Sequence, residues 1–182
     1  MNNNTQTAVF GSGCFWCTEA IFRELRGVQS VVPGYAGGAV ENPTYEAVCN
    51  GKTGHAEVIK IEFDPAAITF RDLLEVFFLT HDPTTMNQQG NDVGEQYRSI
   101  VLYMTPEQKD QTETIIATLT ASGEFKNPIV TQIMPLEKFY EAEDYHRNYY
   151  AQNQNKPYCQ LVINPKLTKL RKKFAPLLKV QP

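Results

Sequence analysis

Residues 7–26 read TAVFGSGCFWCTEAIFRELR, an apolar run followed by an amphipathic one. Residues 7–13 predict a strand, and residues 15–26 predict a helix that Gly27 ends. Cys14 therefore lies where a strand passes into a helix. Unpaired backbone N–H groups and the positive end of the helix dipole favour a thiolate at such a position.

The pentapeptide GCFWC at 13–17 indicates thiol chemistry on a partly apolar substrate. Phe15 and Trp16, the chain's single tryptophan, form an apolar wall beside Cys14. Cys17 follows one helical turn later, at the C-x2-C spacing of redox disulfides. On these residues alone, a redox pair and a buried cysteine that acts as a small hydrophobe remain equal alternatives.

Further along the chain, strand and helix patterns alternate. The predicted elements are a strand at 28–35, a short helix at 44–49, a strand at 55–63, a helix at 69–81 and a strand at 98–104. Asp72 stands at the position of a capping-box partner for Thr69. The order strand, helix, strand, strand, helix, strand matches a split βαβ pattern. The sequence therefore predicts an α+β fold, a two-layer sandwich with a ferredoxin-like βαββαβ core.

Additional helices and strands extend this core toward the C-terminus. They are a helix at 106–122, a strand at 129–134, a tyrosine-rich helix at 142–155, an alternating segment at 158–163 and a basic helix at 167–174. The polar loop at 82–96 is long enough to be suspected of function. The length of 182 residues predicts one catalytic domain, 1–182, with residues 1–6 disordered and 164–182 forming a basic helix or tail.

Composition argues against several classes of protein. The chain is 42% hydrophobic with a formal net charge of −3, so nothing global points to nucleic acid or a membrane surface. Six basic and no acidic residues lie in 166–182, which we interpret as a solvated helix. The start, MNNN, lacks the features of a signal peptide, so we expect the cytoplasm, where thiols stay reduced. One isolated C-x2-C pair among scattered cysteines and histidines disfavours a zinc site.

Three polar side chains are candidates for acid chemistry. Glu57 alternates onto the apolar side of its strand, where desolvation would raise its pKa and keep it protonated. A strand-end glutamate that bends to solvent is the alternative, and the residues alone favour it slightly. Tyr45 and Tyr97 lie in loops, from which a phenol can donate a hydrogen bond to a substrate oxygen or simply pack. His146 is interpreted as a helix histidine with satisfied hydrogen bonds.

Taken together, the motifs resemble those of the peptide methionine sulfoxide reductase A family. The matching stretches, in the family's order, are GCFW at 13–16, PGYAGG at 33–38, NPTY at 42–45, TGHAE at 53–57, NDVGEQYRS at 91–99 and AEDYH at 142–146. The resemblance implies reduction of methionine S-sulfoxide, free or in proteins, to methionine. It also implies that no metal or organic cofactor is needed and that thioredoxin, or dithiothreitol in vitro, supplies electrons. We expect a monomer without nucleic-acid or membrane partners.

The resemblance assigns the nucleophile and the substrate pocket. Cys14 would attack the sulfoxide sulfur, and Phe15 and Trp16 would cup the S-methyl group of the substrate. Loss of methionine would leave a sulfenic acid on Cys14, which a second thiol condenses to a disulfide.

The resemblance also assigns the polar side of the site. Glu57 would protonate the sulfoxide oxygen, which is otherwise a poor leaving group. Tyr45 and Tyr97 would donate hydrogen bonds to that oxygen, and Asp92 would support the network through water.

The second thiol departs from the family pattern. Many members carry it in a glycine-rich C-terminal tail, but here no glycine follows Gly123. The candidates are Cys17, which replaces what is commonly a glycine in the motif, and Cys159, with Cys49 behind them. Direct reduction of the sulfenic acid by an external thiol also remains open.

Two other classes of protein compete with this interpretation. A thioredoxin-like dithiol oxidoreductase also places C-x2-C at a helix start, but it needs neither Glu57 nor Tyr45. The second competing class is a binding module without enzymatic activity, either a domain stabilised by zinc or one that recognises methionine sulfoxide. A Glu57→Gln variant separates the first rival, because disulfide exchange should survive it and sulfoxide reduction should not.

Overall fold

A six-stranded sheet organises the computed structural model, which describes residues 5–180. The strands, including those of a separate small hairpin, are β1 (Gln6–Ser12), β2 (Val28–Ala36), β3 (Ala56–Phe63), β4 (Gln88–Gln89), β5 (Asp92–Val93), β6 (Ser99–Tyr103), β7 (Gln132–Pro135) and β8 (Phe139–Glu141). The order across the sheet is β7-β6-β1-β3-β2-β8. β6 and β7 pair in parallel, and the other neighbours are antiparallel. β4 and β5 form the hairpin of the long polar loop.

Helices connect and cover these strands. They are α1 (Phe15–Arg23), α2 (Tyr45–Cys49), α3 (Phe70–Thr80), α4 (Pro106–Ser122), α5 (Tyr149–Gln152) and α6 (Asn164–Lys173). α1 joins β1 to β2, and β3 lies between these two strands, antiparallel to both. Strands and helices thus build one unit, which confirms the predicted α+β class. No helix in the described part of the chain is long and apolar enough to cross a membrane.

Apolar side chains cover both faces of the sheet, because successive residues of a strand point to opposite sides. Fully buried side chains on the face toward α1 and α3 include Ala8, Phe10, Ile59, Ile61 and Phe63. Those on the other face include Val9, Val58, Ile100 and Leu102, covered by Leu136 and Phe139. Glu57 alternates with Val58 onto the face of Ile59, so β3 carries a carboxyl group on the side of the larger core.

Helix ends follow the signals in the sequence. The Thr69 hydroxyl accepts the Asp72 N–H at 3.1 Å, and the Asp72 carboxylate accepts the Thr69 N–H at 2.9 Å. These two bonds are the reciprocal capping box expected for α3. α4 begins at Pro106 and stops at Gly123, whose φ of 69° suits a residue without a Cβ.

The segment 142–155 differs from the single helix that we predicted. A 3-10 turn at Asp144–His146 is followed by Asn148 with φ 52°, and only then by the short α5. A left-handed residue redirects the chain and cannot continue a right-handed helix. The helix prediction is wrong because the tyrosines of this segment do not form one apolar stripe: Tyr149 stacks on Trp16 at the start of α1, Tyr150 bonds to Asn164 of α6, and Tyr145 is exposed.

The alternating segment 158–163 is also helical instead of extended. Cys159–Ile163 forms a π-helical turn that leads directly into α6. Cys159 and Ile163 are buried, whereas Leu161 is 76% exposed. Buried residues four apart fit one face of a helical turn as well as one face of a strand, so the pattern was ambiguous.

The C-terminal segment is tied back to the end of α1. The Arg26 N–H donates to the Leu177 carbonyl and the Lys179 N–H to the Glu24 carbonyl, both at 2.8 Å. The predicted basic helix is α6, which starts a few residues earlier than expected. Residues 1–4 of the segment predicted to be disordered, and 181–182 of the tail, lie outside the described residues, and Gln6 already belongs to β1.

Candidate active site

Cys14 lies at the junction that the sequence indicated. β1 ends at Ser12, Gly13 turns the chain with φ 92°, and Cys14 is the N-cap residue of α1. A Cβ on Gly13 would come within 2.7 Å of the Gln89 side chain, so glycine is required both by φ and by the close approach of the polar loop. The thiol is 8% exposed.

Glu57 is buried directly behind this junction. It is 1% exposed, and its Oε2 accepts the Phe15 N–H at 3.0 Å. The alternative in which this side chain bends to solvent is therefore wrong. Burial raises the pKa of Glu57 to about 8, although the Phe15 N–H acts in the opposite direction. The carboxyl group is mostly neutral at pH 7 and can act as an acid.

Two phenols share this environment. Tyr45 is the first residue of α2 and Tyr97 lies in the turn before β6, and both are half-buried. Burial raises the pKa of both phenols, and the negative charge of an ionised Glu57 raises it further. Cys14 contributes to the shift of Tyr97. Both hydroxyls therefore keep their protons at neutral pH and remain hydrogen-bond donors.

Aromatic rings form the apolar side of the site. Phe15 is 1% exposed, and its ring lies 6.5 Å from that of Trp16 and 6.4 Å from that of Tyr45. The indole of Trp16 is half-buried and stacks on the Tyr149 ring at 3.7 Å with an angle of 5°. Tyr149 belongs to the tyrosine-rich segment 142–155, and the structure gives it a specific partner.

His146 is part of this cluster and not of a regular helix. Its Nδ1 accepts the indole N–H of Trp16 at 3.0 Å, and its ring lies 4.5 Å from the Tyr45 ring. An accepting Nδ1 requires the proton on Nε2. That nitrogen lies 3.8 Å from Glu143 Oε2, too far for a hydrogen bond, so the prediction that this histidine has all its hydrogen bonds satisfied is wrong. Burial lowers the pKa of His146, in agreement with a neutral ring. Glu143 also accepts the Tyr45 N–H at 2.8 Å and the Tyr35 hydroxyl at 2.7 Å.

Asp92 makes a contact that the sequence did not indicate. Its carboxylate accepts the hydroxyl of Tyr158 at 3.0 Å, and the same hydroxyl lies 3.5 Å from the sulfur of Cys17. Sequence reasoning missed Tyr158 because residues 158–163 were interpreted as a strand. Its position directly before Cys159 was the available signal. A chain of polar groups therefore runs from Asp92 to the second thiol.

Cys14 and Cys17 are adjacent, reduced and buried. The Cys17 N–H donates to the Cys14 carbonyl at 3.1 Å, as expected within the first turn of α1. A hydrogen bond between the two thiols lowers the pKa of Cys17 to about 7, whereas burial raises the pKa of Cys14 well above its ordinary value. The two thiols therefore influence each other's ionisation.

The other two cysteines occupy different surroundings. Cys159 is fully buried beside Tyr158, and burial raises its pKa, with a further increase from charge on Cys17. Cys49 is exposed at the end of α2. Partial desolvation of its sulfur raises its pKa, and a hydrogen bond with Tyr45 acts in the opposite direction. Cys17 is thus the thiol whose charge and hydrogen bonding act on Cys14, and charge on Cys17 also acts on Cys159.

Metal binding finds no support in this geometry. Across residues 5–180, the structure holds no group of three or more histidine, cysteine, aspartate or glutamate side chains arranged for a metal ion. The site instead combines a thiol pair, a neutral carboxyl group and two phenols beside an aromatic wall. Such a set can protonate a substrate oxygen while a thiol attacks the atom that bears it.

Comparison with known proteins gives consistent matches over nearly the whole chain. The family model described as peptide methionine sulfoxide reductase matches residues 6–177. A peptide methionine sulfoxide reductase MsrA from Sulfolobus acidocaldarius is 56% identical over 169 residues, which are 93% of this chain and 95% of that protein.

Solved structures give matches of the same kind. Mxr1 from Saccharomyces cerevisiae in reduced form superimposes with a TM-score of 0.79 and 33% identity, covering 87% of this chain and 91% of that one. Mxr1 in complex with Trx2 matches with a TM-score of 0.56 and 24% identity, covering 82% and 87%, which shows a shared fold.

Proposed function

Because this chain belongs to the peptide methionine sulfoxide reductase family and is a thiol-dependent oxidoreductase that returns methionine sulfoxide to methionine, we propose that Cys14 and Glu57 carry the reduction. The burial of Glu57 against the Phe15 N–H, one residue from the Cys14 thiol, is the observation that supports this most directly. A neutral carboxyl group beside a thiol is what a sulfoxide needs, since oxide is a poor leaving group until it is protonated.

In the proposed first step, the sulfur of Cys14 attacks the sulfoxide sulfur. Glu57 transfers its proton to the sulfoxide oxygen, and Tyr45 and Tyr97 donate hydrogen bonds to the same atom. Protonation makes the substrate sulfur positive, which lowers the pKa of the facing Cys14 thiol and favours the anion only when substrate is bound. The products are methionine and a sulfenic acid on Cys14, to which the oxygen and the Glu57 proton have passed, while the proton of the Cys14 thiol returns to the Glu57 carboxylate.

Phe15 and Trp16 are proposed to receive the S-methyl group. Phe15 is fully buried and Trp16 is held by Tyr149 and His146, so the two rings form a fixed apolar surface. A rigid methyl site beside a polar oxygen site presents one arrangement of substituents at sulfur to Cys14. The family resemblance implies that this arrangement is that of the S epimer, which we propose as the substrate, free or within proteins.

Cys17 is the proposed resolving thiol. Its contact with Cys14 supports attack on the sulfenic acid, which forms the Cys14–Cys17 disulfide and releases water. Cys159 is close enough to Cys17 for charge on Cys17 to raise its pKa, so it is suited to a later exchange with Cys17 more than to the first attack. Asp92 is proposed to act through Tyr158, whose hydroxyl contacts Cys17.

The disulfide is proposed to be reduced by thioredoxin in the cytoplasm, without a resident metal or organic cofactor. The structure of the relative Mxr1 with Trx2 supports a protein reductant of this kind. We also propose that residues 1–182 act as one catalytic domain and as a monomer. The order β6-β1-β3-β2, antiparallel throughout, supports a ferredoxin-like core as the scaffold.

A turnover assay on separated epimers tests the proposal. With dithiothreitol as reductant, we expect a peptide with methionine S-sulfoxide to be reduced and its R counterpart to remain. Cys14→Ser should abolish turnover without loss of the fold, as judged by circular dichroism. Appreciable turnover in that variant would remove Cys14 as the nucleophile, and disulfide exchange without turnover of either epimer would favour a thioredoxin-like pair.

A further inference from the structure

The indole of Trp16 depends on a short segment whose helix, α5, has no fully buried side chain, although Tyr149 and Tyr150 pack against the core at half-buried positions. Tyr149 stacks on one face of the ring, and His146 accepts its N–H. Both partners belong to 144–152, the segment that contains α5. A polar contact adds to this packing in fixing the segment against α1.

A buried carboxylate on α1 provides that interaction. Glu19 follows Trp16 by three residues, on the same side of the helix, and is 1% exposed. Its Oε1 accepts the Asn148 N–H at 2.9 Å and the Nε–H of Arg23 at 3.0 Å. Burial raises the pKa of Glu19, and the N–H groups of Asn148 and Tyr149 oppose this. A glutamate this buried is rare unless it is paired, and here part of the pairing is with the backbone of the segment.

The point of attachment is the residue that turns the chain. Asn148 has φ 52°, and its side chain makes no capping bond to α5. The Glu19 carboxylate thus holds the backbone immediately before Tyr149. The direction in which α5 starts, and with it the plane of the Tyr149 ring, follows from this bond.

We infer that Glu19 is a positioning residue for substrate binding, because it holds Asn148 so that Tyr149 and His146 keep the Trp16 indole in place. The inference rests on the proposed function, in which Trp16 receives the S-methyl group. The hydrogen bonds of Glu19 go to Arg23 and Asn148 and not to Cys14 or Glu57. Its loss should therefore weaken sulfoxide binding more than the chemical step.

Glu19→Leu removes the acceptor and keeps most of the volume. We expect the KM for an S-sulfoxide peptide to rise about tenfold and kcat to change less than about threefold, because one buried N–H loses its partner. Trp16 is the chain's single tryptophan, so its fluorescence reports on the same site without substrate. The emission of Glu19→Leu should differ from that of the wild-type protein.

Two variants serve as controls in the dithiothreitol-driven assay. Glu19→Gln keeps an oxygen acceptor and should restore KM to within about twofold of wild type. Arg23→Gln breaks the ion pair but leaves the Asn148 bond, so KM and emission should stay unchanged. If Glu19→Leu does not fold, Glu19→Asp carries the test, since it keeps the charge and withdraws the oxygen by one methylene.

Wild-type KM and emission in a folded Glu19→Leu or Glu19→Asp variant would overturn the inference. Equal effects of Glu19→Leu and Arg23→Gln would do the same, because they would assign the role to the ion pair. A wild-type protein without S-sulfoxide turnover would instead refute the proposed function. The emission comparison would still decide whether Glu19 holds Trp16.

Discussion

At the scale of single residues, the partner of the Phe15 N–H differs from the one that the sequence predicted. The sequence assigned the free donors of the helix start to a Cys14 thiolate. In the structure the Phe15 N–H goes to Glu57, and burial raises the pKa of Cys14. The motif identified Cys14 as a candidate, and the strand alternation identified Glu57. Neither could show which of the two receives the Phe15 N–H, because that depends on how β3 lies behind α1.

Glu57→Gln tests the acid role directly. We expect sulfoxide reduction to fall by about 10²–10⁴-fold, because an amide cannot transfer a proton to the sulfoxide oxygen. In the wild-type protein the same step should slow as pH rises above about 8, where Glu57 loses its proton. Rapid-quench measurement of methionine formation from pH 6 to 10 would show both effects.

The glutamine variant also supplies its own control. Its reduction rate should lack the decline above pH 8, while alkylation of Cys14 and exchange with a small disulfide should resemble wild type. An unchanged pH profile in Glu57→Gln would assign the decline to another group.

Cys17→Ser tests the resolving thiol. The first reduction should proceed, yielding about one methionine per protein, and the sulfenic acid should then persist because no neighbouring thiol condenses with it. Trapping with a sulfenic-acid reagent and mass spectrometry would locate the adduct on Cys14. The matched variant Cys159→Ser should form the disulfide as wild type does; a trapped sulfenic acid there and not in Cys17→Ser would reverse the assignment.

At the scale of helices and strands, capping residues and hydrophobic periodicity predicted the elements correctly wherever a segment follows a single helical or strand periodicity. The capping box of α3 and the start and stop of α4 are fixed by neighbouring residues, so the sequence could locate them. The region 142–163 fails this condition. Tyr149 of this region packs on Trp16 near the start of α1. The left-handed Asn148 donates its N–H to Glu19, which is far away in sequence.

Thr69→Ala tests the contribution of the α3 cap. Loss of the hydroxyl leaves the Asp72 N–H without its acceptor, so the free energy of unfolding should fall by about 1 kcal/mol. Urea unfolding would measure this loss, and Thr69→Ser, which keeps the hydroxyl, should recover most of it. The KM and kcat of Thr69→Ala should equal those of wild type, because α3 contributes no residue to the site; a change in either would link the helix to the reaction.

At the scale of the whole molecule, the C-terminal segment closes over the thiols. Cys14, Cys17 and Cys159 are each at most 8% exposed, whereas Cys49 is exposed. The sequence identified the cysteines but could not predict that the C-terminal segment buries three of them, because the packing of 144–177 against α1 arises only from contacts distant in sequence.

Differential thiol labelling tests this distribution. In the reduced native protein we expect one of the four thiols to react quickly with a bulky maleimide and the other three to react slowly. Peptide mapping should place the fast label on Cys49, and Cys49→Ser should eliminate the fast phase. In denaturant all four should react at similar rates, and a fast native label on Cys17 would contradict the burial described here.

The hydrogen bond from the Phe15 N–H to Glu57 has one more consequence. A repair enzyme works among the oxidants that damage its substrates, and a thiolate is the form that peroxides attack. With that donor occupied and the Cys14 pKa raised, the proposed nucleophile stays protonated at rest, while Cys17, whose pKa is lower, is shielded from solvent. We therefore expect Cys14 to react slowly with peroxide until a sulfoxide binds, so that the enzyme survives the oxidants that damage its substrates.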